Sequence, residues 1–288
     1  MELQWPLIIF TTLVAWSAGV FGAQGALAIG GHARRSQMPL LATSVVLLAV
    51  SGVAVFFHLE HWERIFNGFG HLSSGITQEF IVIMVFAAVA VTYFAMLRRS
   101  GDGTVPKWAA WLAVVVSVVL VAVCAHSYVM AARPAWDSVL EVLSLVGASL
   151  LMGPAMCGAV MGLRGDDASA LGLPAVAAAA AGALLIAAFA VFLQVSAGSF
   201  VDVGYYFDPT SPTAGMAGAA SVAAIQAPLL WGGAVALGGV APFAAVLAAW
   251  RSGSWRLWGP AAVACALVGA VCLRVVFYEL GLSVFMFY

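Results

Sequence analysis

Residues 39–97 decide the fold, because two apolar runs there flank a short polar stretch. The first run is PLLATSVVLLAVSGVAVFF (39–57), the polar stretch is HLEHWERIFNGFGHLSSGITQ (58–78), and the second run is EFIVIMVFAAVAVTYFAML (79–97). Each run has the length of about 20 residues that an α-helix needs to cross about 30 Å of hydrocarbon. The sequence therefore predicts two membrane helices joined by a polar loop at one membrane surface.

The composition extends this prediction to the whole chain. Hydrophobic residues make up 64% of the 288 positions, charged residues make up 8%, and the mean hydropathy is +1.07. Soluble domains carry about 25% charged residues, so the composition excludes a soluble protein. The sequence also lacks a basic patch of the kind that binds nucleic acid. We expect an all-α membrane protein.

Apolar runs of similar length recur along the chain and predict eight transmembrane helices. Their approximate bounds are 6–30, 39–57, 79–97, 108–131, 138–163, 171–197, 221–250 and 257–286. Because no Lys or Arg precedes the first run, we interpret it as a retained helix rather than a cleaved signal. The seventh run contains Pro228 and Pro242, which favour a kinked or a broken helix. Residues 1–288 are expected to form one integral membrane domain.

The cysteines predict no metal site in this chain. Disulfide frameworks and zinc or iron–sulfur sites need clustered cysteines. Here all four lie inside apolar runs and form no C-x-x-C pair: Cys124, Cys157, Cys265 and Cys272. We interpret them as small buried packing residues. If the protein moves electrons, its metal centres are expected in another chain.

The cationic residues predict the orientation of the helices. Eight of the eleven Lys and Arg residues follow the first, third, fifth and seventh runs: Arg34, Arg35, Arg98, Arg99, Lys107, Arg164, Arg251 and Arg256. The other side has Arg64, Arg133 and Arg274. Because short cytoplasmic loops are enriched in Lys and Arg, both termini are predicted to face outward, and residues 58–78 are predicted to lie on the outer face.

The loop between the second and third runs is the candidate site. Together with Glu79 it holds three of the five histidines and four charged residues, and ionisable groups at the edge of hydrocarbon are costly enough to indicate function. A quinol-oxidising site needs an apolar cavity and groups that accept two protons, for which His and carboxylate side chains are suitable. His58 follows Phe57, which offers a stacking surface to a quinone ring. We predict that His58 and Glu79 are the proton acceptors.

Residues on other runs are predicted to complete the quinone pocket. Arg274 lies inside the last run, where an arginine needs a buried partner or a water-lined cavity. Tyr278 is four residues further on and shares a helix face with Arg274. His126 and Tyr128 lie at the outer end of the fourth run and are expected at a similar membrane depth.

The same residues also have other interpretations. Glu79 is compatible with a first-turn carboxylate that the helix dipole stabilises, with Thr77 as the cap. Residues 60–64 are compatible with a solvated interfacial helix that carries an i,i+4 pair of Glu60 and Arg64. His58 and His126 are compatible with axial ligation of a b-type haem.

The order and spacing of several short pieces resemble the membrane anchor subunit of the dimethyl sulfoxide reductase family, an eight-span protein of the complex iron–sulfur molybdoenzyme group. The pieces are Trp5-Pro6-Leu7-Ile8-Ile9-Phe10-Thr11, His58-Leu59, Arg64, Phe66-Asn67, Ser73-Ser74, Glu79, Tyr128, Pro134, Trp136, Gly153-Pro154 and Arg274-Val275-Val276-Phe277-Tyr278. They extend over nearly the full chain. The positions that depart from the family pattern are His61, Trp62, Glu63, His71 and His126.

The resemblance implies a function and a set of partners. It implies an anchor in the bacterial cytoplasmic membrane that oxidises quinol in anaerobic respiration, with menaquinol as the expected donor. The implied partners on the outer face are a four-cluster iron–sulfur subunit and a catalytic subunit with molybdenum bis(molybdopterin guanine dinucleotide). The essential histidine and glutamate of the family correspond to His58 and Glu79. That family binds no haem.

Two other functions are compatible with the sequence. An ion-translocating or transport subunit, related to polysulfide reductase anchors, would need ionisable residues through the middle of the membrane, where only Glu141 and Arg274 come near. A passive docking scaffold would have no quinone site. The resemblance implies that a pocket in another polypeptide sets the terminal electron acceptor.

Overall fold

The apolar runs fold as α-helices because hydrocarbon offers no hydrogen-bond partner to the backbone, whereas a helix satisfies its own peptide groups. A computed structural model of the chain describes residues 3–58, 61, 67, 69–131, 133–203 and 214–281. These residues contain helices and no strand, and eight helices are long and apolar enough to cross a membrane. The prediction of an all-α fold with eight helices of membrane-spanning length is therefore confirmed.

The described residues form the following helical elements. They are α1 (Trp5–Ile29), α2 (Gln37–Phe56), α3 (Gly75–Ser100), α4 (Lys107–His126), α5 (Val139–Arg164), α6 (Gly172–Val203), α7 (Ala214–Pro228), a π-helical segment (Leu229–Val240), α8 (Ala241–Ser252) and α9 (Trp255–Glu279). From α7 to α8 the helix is continuous, and Ser221–Ser252 forms the seventh candidate span. The prolines expected to kink or break this span lie at the two borders of its π-helical segment.

The start of α3 differs from the prediction. The helix begins at Gly75, after Ser74 at the N-cap position, rather than at residue 79. Its first turn is polar and was therefore missed by a count of apolar residues. Glu79 lies in the second turn, and Thr77 is the third residue of the helix. The interpretation of Glu79 as a first-turn carboxylate capped by Thr77 is therefore wrong.

Three helix ends also differ. α4 ends at His126 rather than at 131, and the backbone N–H groups of Tyr128 and Val129 then donate to carbonyls three residues back instead of four. α6 continues to Val203 instead of ending at 197. α9 ends at Glu279 rather than at 286, and residues 282–288 lie outside the described part of the chain.

Loops that alternate along the chain meet at the same end of the bundle. Asp166, after α5, accepts a hydrogen bond of 2.6 Å from the hydroxyl of Ser36, just before α2. Gly103, after α3, packs against the backbone of Arg34 at the same place. We call this the basic end, because its loops and helix termini carry Arg34, Arg35, Arg98, Arg99, Lys107, Arg164, Arg251 and Arg256. The opposite end is called the His58 end.

The crossing of α1 and α5 lies at the centre of the bundle. The hydroxyl of Ser149 donates a hydrogen bond of 2.8 Å to the carbonyl of Ala15. A Cβ at Gly153 would meet the backbone carbonyl of Gly19, and a Cβ at Gly19 would meet that of Ser149. Small residues thus allow the two backbones to approach closely, as is common between membrane helices. This contact sets the depth at which α5 lies against α1.

A methyl group added at this crossing is expected to destabilise the protein. Gly153→Ala should lower the free energy of unfolding by about 1–3 kcal/mol, because overpacking forces the two backbones apart. Gly52→Ala is the matched control, since Gly52 lies in α2 with open space where its Cβ would be. Thermal unfolding in detergent measures both variants. A melting temperature for Gly153→Ala at or above that of Gly52→Ala would contradict the close contact.

Candidate functional site

A cavity of about 400 Å³ lies at the His58 end of the bundle. It is bounded by the start of α1, the end of α2, the first turns of α3, the α4–α5 connection and α9. Its lining residues are Gln4, Leu7, Phe10, Val55, His58, Ser74, Gly75, Ile76, Glu79, Phe80, Ile83, Ser127, Tyr128, Met130, Arg133, Trp136 and Tyr278. Ligand sites are mostly apolar cavities of about 300–1,000 Å³ with a few polar groups, and the His58 cavity has this character.

A second cavity, of about 450 Å³, lies toward the basic end among α1, α4, α5 and α6. Its lining is small and apolar over most of its surface. Of the described residues that line it, His32 alone can ionise. The hydroxyls of Ser117 and Ser149 in its wall are already bonded to backbone carbonyls. The groups that can accept protons therefore favour the His58 cavity as the candidate site.

His58 and Glu79 both line the His58 cavity. α2 ends at Phe56, and the backbone N–H of His58 then donates a hydrogen bond of 3.0 Å to the carbonyl of Val55. Glu79 projects from the second turn of α3 and is half-buried. The hairpin of α2 and α3 thus brings together the two residues that the sequence singled out. Their role as proton acceptors stays a prediction.

Ser127 is a site residue that sequence reasoning missed. Its Oγ is bonded to the Glu79 carboxyl and lies 2.9 Å from the carbonyl oxygen of Cys124. A serine has one hydroxyl proton and can also accept. When Glu79 is ionised, Ser127 donates to the carboxylate. When Glu79 is protonated, Ser127 accepts from the carboxyl and donates to Cys124. Both protonation states of Glu79 therefore have a hydrogen-bond partner.

Three aromatic side chains, Tyr128, Trp136 and Tyr278, form the floor of the cavity, and Phe277 packs behind them. Trp136 stacks on Phe277 with ring centroids 4.5 Å apart, and its indole N–H donates to the Phe277 carbonyl at 2.8 Å. The ring of Tyr128 stands edge-on to Trp136 and Phe277, 5.9 Å from each. Burial raises the pKa of Tyr128 well above its ordinary value, so its hydroxyl remains a hydrogen-bond donor.

A buried ion pair lies next to this aromatic floor. Nη1 of Arg274 is 2.7 Å from Oε1 of Glu141, and the exposed fractions of the two side chains are 3% and 0%. Glu141 lies in the first turn of α5, where the helix dipole favours a carboxylate. The guanidinium of Arg274 is 5.0 Å from the ring of Phe277. The sequence predicted that Arg274 lines the quinone pocket. The structure instead places it against Glu141, outside the cavity lining.

Two further residues predicted for the pocket lie elsewhere. The side chain of Phe57 is 81% exposed beyond the end of α2. His126 is exposed at the last position of α4. Neither lines the His58 cavity. The haem interpretation places His58 and His126 on one cofactor, and the structure does not bring them to one cavity.

Part of the polar loop lies outside the described residues, namely positions 59, 60, 62–66 and 68. The interpretation of residues 60–64 as an interfacial helix is therefore untested. Within the described part of the chain, no group of three or more His, Cys, Asp or Glu side chains is placed to hold a metal ion. The four cysteine thiols are free, and two of them, Cys124 and Cys157, are buried.

Comparison with known protein families gives no match to this sequence, and comparison with curated proteins gives none either. The likeness to dimethyl sulfoxide reductase anchors therefore stays an interpretation of short sequence pieces. The functional inference depends on the residues of the His58 cavity and on their positions.

Breaking the buried ion pair is expected to destabilise the fold. Arg274→Met or Glu141→Met should each lower the free energy of unfolding by about 3–5 kcal/mol, because each leaves an unpaired buried charge. The double variant should recover most of this loss, since two apolar side chains in place of a buried pair are often close to neutral.

Thermal unfolding of the purified protein in detergent measures these effects. Arg251→Met is the matched control, because Arg251 is exposed in the last turn of α8 and should change stability by less than about 0.5 kcal/mol. A double variant that is less stable than both single variants would contradict a direct coupling between Arg274 and Glu141.

Proposed function

We propose that this chain is the membrane anchor of a dimethyl sulfoxide reductase-like complex and that it oxidises menaquinol in the His58 cavity. The observation that carries the proposal is the presence of His58, just after α2, and Glu79, in α3, in the lining of one cavity. Quinol oxidation needs two proton acceptors beside an apolar space. The cavity has both features, and its volume suits a small-molecule ring.

The lining supports a ring with an apolar tail as the ligand. Leu7, Phe10, Val55 and Ile83 provide apolar walls, and the aromatic floor offers rings for offset or edge-on contacts. Ile76 lines the cavity and is also 62% exposed on the surface of α3. The cavity therefore reaches the apolar surface of the bundle there, which gives an isoprenoid tail a path to lipid.

Quinol oxidation in this cavity needs two proton acceptors, which the chain provides, and an electron acceptor, which the partner subunit provides. One quinol loses two protons and two electrons as it becomes quinone. His58 accepts one hydroxyl proton and Glu79 accepts the other, each as a general base. The two electrons leave one at a time to an iron–sulfur cluster of the partner subunit, which is reduced. Both protons then pass to solvent at the His58 end.

The charge distribution supports an outward-facing site. Eight of the eleven Lys and Arg residues lie at the basic end, which by the positive-inside rule faces the cytoplasm. The His58 end then faces outward, and the iron–sulfur and molybdopterin subunits bind there. Protons released from quinol and protons consumed by the terminal reaction are on the same side, so no net charge crosses the membrane.

The ion-translocating alternative has less support. It needs ionisable groups through the membrane interior. The buried charged side chains in the described part of the chain are Glu141 and Arg274, and these are bonded to each other. Glu141 also lies in the first turn of its helix, at the His58 end. A proton-uptake assay in sealed vesicles separates the two functions.

The two proton acceptors are tested by substitution in the assembled complex. His58→Ala and Glu79→Gln should each lower the rate of menaquinol-analogue oxidation by about 100-fold or more, which is the usual contribution of a general base. His126→Ala is the matched control, because His126 is exposed and lies outside the cavity lining. Oxidation at the unaltered rate in both cavity variants would rule out this site.

Ser127 is expected to contribute less than the acceptors themselves. Ser127→Ala removes the hydrogen bond to Glu79 and should lower the turnover rate by about tenfold, in line with the free energy of a hydrogen bond to a charged group. Ser73→Ala, at an exposed position before α3, should leave turnover unchanged. Steady-state kinetics of quinol oxidation distinguish the two variants. Equal turnover in both would contradict a role for Ser127.

A further inference from the structure

The lining of the His58 cavity includes a cationic side chain, Arg133, to which the proposed proton transfer assigns no role. Arg133 lies in the α4–α5 connection and lines the cavity. Its guanidinium stands 4.4 Å above the ring centre of Trp136 and donates a hydrogen bond to the carbonyl of Gly281. The side chain is half-buried, whereas the charged end of an arginine in a surface loop usually extends into water. These two contacts hold the charge at the cavity wall.

The charge of Arg133 has no carboxylate partner among the described residues. The ion pair found between described side chains joins Arg274 to Glu141, and Arg133 is not part of it. A guanidinium carries five N–H donors in one plane, of which the Gly281 carbonyl takes one. Burial lowers the pKa of Arg133 from its usual value, but an arginine remains charged at neutral pH.

We infer that Arg133 binds an oxygen of the quinol and favours the singly deprotonated anion of that quinol. The inference rests on the proposed function of the cavity. Removal of one proton from the quinol by His58 leaves a negative oxygen on the ring. A hydrogen bond from an ionised donor to such an oxygen is about twice as strong as a neutral one. Stabilising this anion lowers the free-energy cost of the first proton transfer.

The positions of the other ionisable groups agree with this role. Glu79 is bonded to Ser127 on the side of the cavity that α3 and α4 form. Arg133 is held against Trp136 and Gly281, on the side that α9 forms. The two oxygens of a naphthoquinol lie at opposite edges of one ring. A ring in this cavity would therefore direct one oxygen toward Glu79 and the other, which gives its proton to His58, toward the fixed cation.

The other ionisable groups in the lining are the carboxyl of Glu79, the imidazole of His58 and two phenols, Tyr128 and Tyr278. An ionised Glu79 would oppose an anionic ligand, whereas a protonated Glu79 would donate to it. The Tyr278 hydroxyl is buried beside the Tyr128 hydroxyl. Arg133 is thus the fixed positive charge in a cavity whose remaining groups are neutral or exchange protons.

Two ligands of nearly the same shape and different charge test the inference. A hydroxynaphthoquinone is an anion at neutral pH, and its methoxy ether is neutral. Binding of each to the purified full chain is measured by the quenching of tryptophan fluorescence. Arg133→Gln should weaken the binding of the anion by about tenfold or more and the binding of the ether by less than about threefold. Arg251→Gln, at an exposed arginine of the basic end, should change neither affinity.

The other outcomes overturn the inference in distinct ways. If Arg133→Gln weakens the binding of both ligands equally, the role of Arg133 is only structural, through its contacts with Trp136 and Gly281. Unchanged binding of both ligands would show that Arg133 does not touch the quinone, and loss of the iron–sulfur subunit from that variant would assign it to docking. If the unaltered chain binds neither naphthoquinone, the proposed quinol site itself fails, and this inference fails with it.

Discussion

The buried pair of Arg274 and Glu141 is the interaction on which the His58 end depends. Hydrocarbon does not solvate a charge, so each of these two buried charges needs the opposite charge as its partner. Their 2.7 Å contact joins the first turn of α5 to the last turns of α9. The pair therefore fixes the register of these two helices at the end of the bundle where the candidate site lies.

The rest of the site is built on this register. α9 presents Phe277 and Tyr278 one turn beyond Arg274, and Trp136 stacks on Phe277 and bonds its carbonyl. Arg133 is placed above Trp136 in turn. Each contact supports the next, so the aromatic and cationic wall is built from contacts within the chain itself. The opposite wall carries the groups that exchange protons.

The eight long helices could be predicted from the sequence because each apolar run must by itself form a helix long enough to cross the hydrocarbon. The sequence did not predict helix ends that depend on polar turns or distant contacts, such as the start of α3 and the end of α4 at His126. His58 and Glu79 stood out because ionisable residues are rare in this chain. Ser127 did not stand out, because a serine near a helix end is common, and its bond to Glu79 joins residues far apart in sequence.

The central claim is that quinol binds in the His58 cavity. Photoaffinity labelling of the purified chain with an azido-substituted menaquinone, followed by peptide mapping, tests it most directly. We expect the label on the first turns of α3 or on the α4–α5 connection, and we expect menaquinol to compete with it. A label confined to the second cavity, around residues 18–27 of α1, or a label that menaquinol does not displace, would contradict the claim.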